Sequence, residues 1–195
     1  MFLLFLVVMA VCGVESLVAQ SKFHADVKES ILTWIGKKVG GEHSGVIHLH
    51  KGVIMMEKDA IVGGSFQIDM TSIKVTDIEK PSSNKKLVMH LKSDDFFSVE
   101  KFPIATFKLI EARKMASGNY IVKGHLTIKD ITQIMEFSAT IHSHGEQMHL
   151  MSNMVVDRSK FDVRYGSGSF FSNLGDRMIN DDFELNVNLV LKKEQ

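Results

Sequence analysis

The residues of this chain with the greatest chemical reach are its nine histidines, two adjacent aspartates and a late arginine. His48/His50 and His142/His144 are two apart, a spacing that puts both rings of a pair on one face of a strand. Two imidazoles and a third converging donor would suit a transition metal. His48 and His50, however, alternate with Ile47 and Leu49 and so belong to a solvated face, while His142 and His144 run into the turn "SHGE". No metal is expected. Asp94 and Asp95 supply two carboxylates, but neighbouring side chains diverge and do not make an acid–base dyad. They suit the start of a short helix, where the backbone dipole favours negative charge. Arg158, in "VVDRSKFDVRYG", could meet a ligand's polar head at the end of a strand, with Arg164 and Tyr165 a turn later. The competing reading is a surface pair with Asp157 or Asp162. The chain contains no G-x-S-x-G elbow, P-loop, H-E-x-x-H or dinucleotide fingerprint. "GSGSF" at 166–170 lacks the strand-to-helix setting of a phosphate cradle and reads as loop. No cofactor is expected, and the chain is read as non-enzymatic.

Period-two alternation dominates the elements that must position these residues. In "DDFELNVNLVLKK", Phe183, Leu185, Val187, Leu189 and Leu191 share one face, and Asp182, Glu184, Asn186, Asn188 and Lys192 share the other, with Val190 the exception. "NYIVKGHLTIK" repeats the pattern, with Gly124 breaking its apolar face at a bend or a close backbone approach. "ESILTWIGKK", "GVIHLHKG", "GGSFQIDM", "IATFKLIEA", "IMEFSATIHS" and "QMHLMSNMVVD" complete a set of about eight or nine strands separated by glycine-bearing turns. One-sided strands in this number close into an up-and-down antiparallel barrel with apolar faces inward, and a two-sheet sandwich is the competing solution. "NKKLVMHLKSDDFFS", residues 84–98, interrupts the strands with helical spacing, and Ser93 is a cap for a second short helix. Residues 157–182 read as a long loop with a helical turn.

The 195 residues are enough for one domain and, at 45% hydrophobic, for a core. Equal numbers of basic and acidic side chains leave no net charge, which argues against a nucleic-acid surface. The start, "MFLLFLVVMAVCGVESLVAQ", is uncharged from Phe2 to Val14. It is short for a bilayer span and suits a secretory signal ending at Ala19. Residues 20–195 then form the domain, placed in the periplasm or secreted, with a membrane-tethered start as the alternative. Cys12, the single cysteine, leaves with such a signal, so the remaining chain can have no disulfide and no thiol chemistry.

Several stretches occur in an order that resembles the YceI-like family: "WIGKKVGGEHSG", "GGSFQIDMTSI", "HLKSDDFFSVEKFPIATF", "GHLTIKDIT" and "DRSKFDVRYGS". The middle one, D-D-F-F-x-x-x-x-F-P-x-A-T-F, is the most specific, and the similarity runs from about Lys28 to Leu191. Asp130 departs from the family, which often has glycine after the lysine of "LTIKG". The resemblance implies a lipocalin-like barrel that binds polyisoprenoid or related long apolar molecules outside the cytoplasm. It also gives the aromatic run at 96–107 a role: Phe96, Phe97 and Phe102 plug or flank one barrel end, and Pro103 directs the chain into the next strand.

These readings set the expectations. Trp34, Phe66, Ile68, Phe107, Phe137, Phe183, Leu185 and Val187 would line the lumen, and His43, His90, Phe96, Phe97, Arg158 and Tyr165 would stand at its mouth. The partner would be a long apolar small molecule, isoprenoid or fatty-acyl. Nucleic acid is not expected, and transient membrane contact and a homodimer are the other associations considered. Two alternatives remain at this stage: an enzyme acting on lipid-like molecules through His43, His90 or Arg158, and a stress-response or structural barrel packed solid.

Overall fold

The computed structural model describes residues 20–195. The expected signal segment and Cys12 lie outside the described residues. Nine strands form one antiparallel sheet: β1 (Gln20–Ala25), β2 (Ile31–Lys38), β3 (Gly41–Glu57), β4 (Ala60–Val75), β5 (Ile104–Lys114), β6 (Tyr120–Ile128), β7 (Ile131–His144), β8 (Gln147–Asp157) and β9 (Ile179–Lys193). The order β3-β2-β9-β8-β7-β6-β5-β4 closes through β4 pairing with β3, giving an eight-strand barrel. The barrel answers the edge problem directly, because closure leaves no row of unpaired backbone groups. The expected barrel is therefore the fold, and the sandwich is not.

β1 escapes period-two reading because it is six residues long and carries one strongly apolar side chain, Phe23. It lies outside the eight-strand circuit and pairs with the far ends of β3 and β9, while β2 pairs with their other ends. The two strands thus share one gap in the wall. The chain crosses from one to the other at Asp26–Ser30, over Val190. Asp26 N–H donates to Val190 O at 2.8 Å, and the buried Ser30 hydroxyl both accepts from Val190 N–H (3.1 Å) and donates to Val190 O (3.3 Å). This crossing accounts for Val190, the apolar residue on the wet face of β9: it is buried.

The same crossing holds an ion-pair cluster. Lys192 Nζ lies 2.7 Å from Asp26 Oδ2 and 2.8 Å from Glu29 Oε1, and Asp26 Oδ1 accepts the Lys28 and Glu29 N–H groups. The Lys192 ammonium, aided by the Glu29 and Lys28 N–H groups, lowers the Asp26 pKa to about 2. A carboxyl whose folded pKa lies below its unfolded value of roughly 4 stabilises the fold fully above that value and loses this contribution as pH falls toward 2. Asp26→Asn is therefore expected to lower the melting temperature at neutral pH. The difference from the parent protein should shrink as pH falls from about 4 through 2 and vanish below it. A gap between the two melting curves that stays constant down to pH 2 would contradict this.

The helical interruption is a single helix, α1 (Pro81–Lys92), packed on β4. The second helix expected through Phe97 is instead a set of tight turns. Ser93 does cap, but at the end of α1: its hydroxyl donates to His90 O at 2.8 Å. Ser98 then takes a positive φ of 47° that stops any helical continuation. Between β8 and β9 the chain makes two 3-10 turns, Arg158–Phe161 and Gly175–Arg177, within the long loop expected there. Lys129 and Asp130 turn β6 into β7 with φ of 51° and 60°. A two-residue hairpin with both φ positive favours glycine, and aspartate tolerates the conformation, which explains how Asp130 can replace the family's glycine.

Candidate functional site

Inward-facing residues of the strands enclose two apolar chambers. The first, about 170 Å³, lies at the α1 end, and the second, about 90 Å³, lies deeper. Both are lined by Leu32, Ile68, Leu126 and Leu185, so one layer of side chains separates them. Trp34 and Phe183 line the upper chamber, Phe66, Phe107, Phe137 and Val187 the lower, and Ile68 and Leu185 both. All eight residues read as lumen-facing from alternation border this space.

Three of the rings lie against glycines of a neighbouring strand: Trp34 at Gly45, Phe66 at Gly52 and Phe107 at Gly124. A Cβ at Gly45 would sit 1.8 Å from Lys74 O and 2.6 Å from Trp34 Cζ2. A Cβ at Gly124 would sit 2.2 Å from Phe107 Cζ. Gly124, which breaks the apolar face of β6, therefore marks a close approach by an aromatic ring. Rings laid along the wall cover the glycine backbone.

The residues expected at the mouth separate into four groups. His43 stands at the rim, where its Nδ1 is 2.8 Å from Asp77 Oδ2, and Asp77 Oδ1 accepts Ser44 N–H at 3.1 Å. Partial burial pushes the Asp77 carboxyl up, but the bonds from His43 and Ser44 outweigh it and hold the group below its ordinary value. Phe96 and Phe97 line the upper chamber, as do Leu87 and Leu91 of α1. His90 and Tyr165 stand behind Phe96: the His90 ring meets Phe96 edge-on at 4.9 Å and Tyr165 at 4.4 Å. Neither His90 nor Tyr165 borders the chamber, so both support the plug. Phe102 is half-buried beside the turn and borders neither chamber.

Arg158 is not a surface pair: it borders the upper chamber from within the wall. It is 3% exposed. Nε donates to Asn180 O (3.0 Å), Nη1 to Val163 O (2.8 Å) and Nη2 to Ile179 O (3.0 Å). Its counterion is Asp181, 3.4 Å away without hydrogen-bond alignment, while Asp162 pairs with Arg164. The Phe96 ring centroid lies 5.7 Å from the guanidinium carbon. Arg158 thus fastens the start of β9 to the long loop and packs its flat face on the plug. Sequence spacing located the residue but could not show this, because its partners are main-chain carbonyls.

Residues that the sequence reading did not single out complete the site. Lys37, Lys38 and Gly36 line the upper chamber with His43, and Ala105 and Leu126 form its wall. The signal for Gly36 and Lys38 was present: they continue the alternation that places Leu32 and Trp34 on one face of β2. The histidine pairs stay on outer surfaces, where His142 sits opposite His149 across β7 and β8. Among the described residues no three His, Cys, Asp or Glu side chains converge on a metal-sized site.

An enclosed antiparallel barrel with an apolar lumen and an aromatic plug agrees with the family match, since the YceI-like domain model matches residues 19–191. The chain belongs to the YceI-like family. Among curated proteins it is 39% identical over 56 residues to a UPF0312 protein of Yersinia enterocolitica and 28% identical over 75 residues to one of Shewanella baltica. Those alignments span 29% and 38% of the relatives' own length, and the same shares of this chain. Among solved structures, BcnA of Burkholderia cenocepacia superposes with a TM-score of 0.66 at 20% identity, covering 85% of this chain and 98% of that one. A polyisoprenoid binding domain from Saccharophagus degradans, implicated in plant cell wall breakdown, gives 0.63 at 11% identity, with 91% and 99% covered. At these identities the likeness is one of fold. It places the barrel in a shared architecture.

Proposed function

We propose that this YceI-like barrel is a binding protein that carries a long apolar molecule of the polyisoprenoid, isoprenoid-quinone or fatty-acyl type, outside the cytoplasm and without acting on it chemically. The observation that carries this reading is the pair of apolar chambers separated by a single side-chain layer along the barrel axis. An apolar cavity of about 150 Å³ holds a benzene-sized guest without water. A longer chain would thread both chambers by moving the Leu32, Ile68, Leu126 and Leu185 side chains between them. Each methylene withdrawn from water contributes about 0.8 kcal/mol, so some ten of them outweigh the cost of immobilising the chain. The absence of a catalytic motif in the sequence supports a carrier, as does the polyisoprenoid-binding description of the Saccharophagus neighbour. The uncharged segment from Phe2 to Val14 supports export.

Native mass spectrometry of gently purified full-length protein, followed by organic extraction, tests the proposal. A co-purifying long-chain lipid is expected, removable by extraction, whose return alters the fluorescence of Trp34. Repeated extraction that yields no lipid, together with no fluorescence response to added isoprenoids, would sink it.

A further inference from the structure

Two neighbouring phenylalanines stand out from the loop between β8 and β9: Phe170 is 41% exposed and Phe171 49%. A turn fixes their position, because both N–H groups donate to Ser167 O, at 3.2 and 3.0 Å. Ser167 is buried, and the Ser169 hydroxyl donates to Asp181 Oδ2 at 2.6 Å. Two further exposed apolar side chains continue the patch. Met178 Sδ lies 3.3 Å from where a Cβ at Gly168 would stand, and Met178 O accepts the N–H of Val39 at 3.1 Å. Lys38 and Ile179, the chain neighbours of Val39 and Met178, line the upper chamber, so the patch belongs to its rim.

α1 borders the same rim. Its Leu87 and Leu91 line the upper chamber, and Tyr165 of the loop meets its His90. No residue of α1 is buried; Lys85, Lys86 and Met89 are exposed, and the helix holds no acidic residue. Asp94 and Asp95, just beyond it, are answered by Lys101 and His90. The charges of the loop nearly cancel, since Arg164 pairs with Asp162 and Arg177 follows Asp176. Unpartnered lysines and exposed aromatic rings therefore stand together around one end of the barrel.

We infer that this end of the barrel docks on a lipid bilayer with anionic head groups. Phe170, Phe171, Met178 and Val39 enter the boundary between head groups and acyl chains, and Lys85 and Lys86 face the phosphates. Exposed apolar patches mark contact surfaces, and phenylalanine beside lysine is the pairing that suits this boundary. A second copy is a poorer occupant, because a twofold contact would bring two copies of a helix with no acidic residue into one interface. The inference rests on the proposed carrier function for its purpose: a mouth held on a bilayer passes an apolar guest without exposing it to water. The contact itself needs no guest.

Full-length protein carrying Phe171→Trp is mixed with vesicles of equal parts phosphatidylcholine and phosphatidylglycerol, made with and without brominated acyl chains. Trp34 is the only tryptophan of the parent, whose emission is measured alongside and subtracted. The introduced indole is expected to shift to the blue and to be quenched by the brominated lipid. Adding Lys85→Gln with Lys86→Gln should raise the lipid concentration required by about thirtyfold, the worth of two cations at an anionic surface. Adding Phe170→Ser instead should raise it about fivefold. The readout is local, so attachment through Phe2–Val14 cannot imitate it. Phe170→Trp places the reporter at the neighbouring position should the first variant fold poorly. An indole that stays in water while the protein floats with the vesicles would overturn the inference. So would quenching that is unchanged in phosphatidylcholine alone, or a blue shift without lipid that grows with protein concentration, the mark of a second copy. Uptake of a fluorescent apolar probe is read on the same samples. Uptake without quenching leaves the carrier function standing and removes the docking surface, and quenching without uptake does the reverse.

Discussion

Arg158→Ala is expected to destabilise the barrel by about 3–5 kcal/mol in urea unfolding, the range for removing one partner of a buried charge pair. The substitution leaves three carbonyl oxygens, of Val163, Ile179 and Asn180, without their donor, and Asp181 without its counterion. Partial burial pushes the Asp181 carboxyl up, while hydroxyl bonds from Ser167 and Ser169 and the Arg158 charge draw it below its ordinary value. Its response should therefore change when the arginine is lost. Arg158→Lys keeps the charge but presents one ammonium where a planar fork serves three carbonyls in different directions, so it should recover only part of the loss. Arg158→Met tests whether packing against Phe96 matters more than the donors. If the methionine variant is as stable as the parent, the carbonyl fastening is not what stabilises this end. Unfolding curves that coincide for parent and alanine variants would reject the buried-latch description.

Ala105→Phe should leave the barrel folded and weaken guest binding by about a hundredfold. Ala105 is buried on β5 and borders the upper chamber. The phenyl ring added there competes for a chamber of about 170 Å³. Displacing about four methylenes of guest forfeits roughly 3 kcal/mol, which is a hundredfold in affinity. The added ring fills existing space, so the melting temperature should stay within the few degrees that mild overpacking causes. Displacement of a fluorescent apolar probe measures the first effect and thermal unfolding the second. Undiminished binding in a variant of unchanged stability would show that the guest does not occupy this chamber.

The two variants bear on different parts of what could be read before any coordinates were known. The inward sets of β6, β7 and β9 were legible because alternation has a period of two and each of these strands has one face in the lumen. The barrel itself followed from eight such strands with no second apolar layer to cover them. β1 was not legible, because a single apolar side chain carries no period, and its partners are the distant ends of β3 and β9. Arg158 is visible in the sequence as a residue of interest, but its carbonyl partners are not. Charge pairing can be guessed from nearby aspartates, whereas donation to the carbonyls of Val163, Ile179 and Asn180 depends on how the loop folds back. Ser93 was read correctly as a cap and placed at the wrong end of a helix, since a hydroxyl can serve either a helix or a turn.

What the sequence determined by itself is the barrel and the inward faces of its strands, because hydrophobic periodicity is a local property of the chain. Only the tertiary structure decided that Arg158 is a buried fastener, that β1 shares a gap with β2, and that Val39 and Met178 meet at the rim. Each of these depends on main-chain groups brought together from distant parts of the chain, and backbone carbonyls leave no mark in a sequence of side chains.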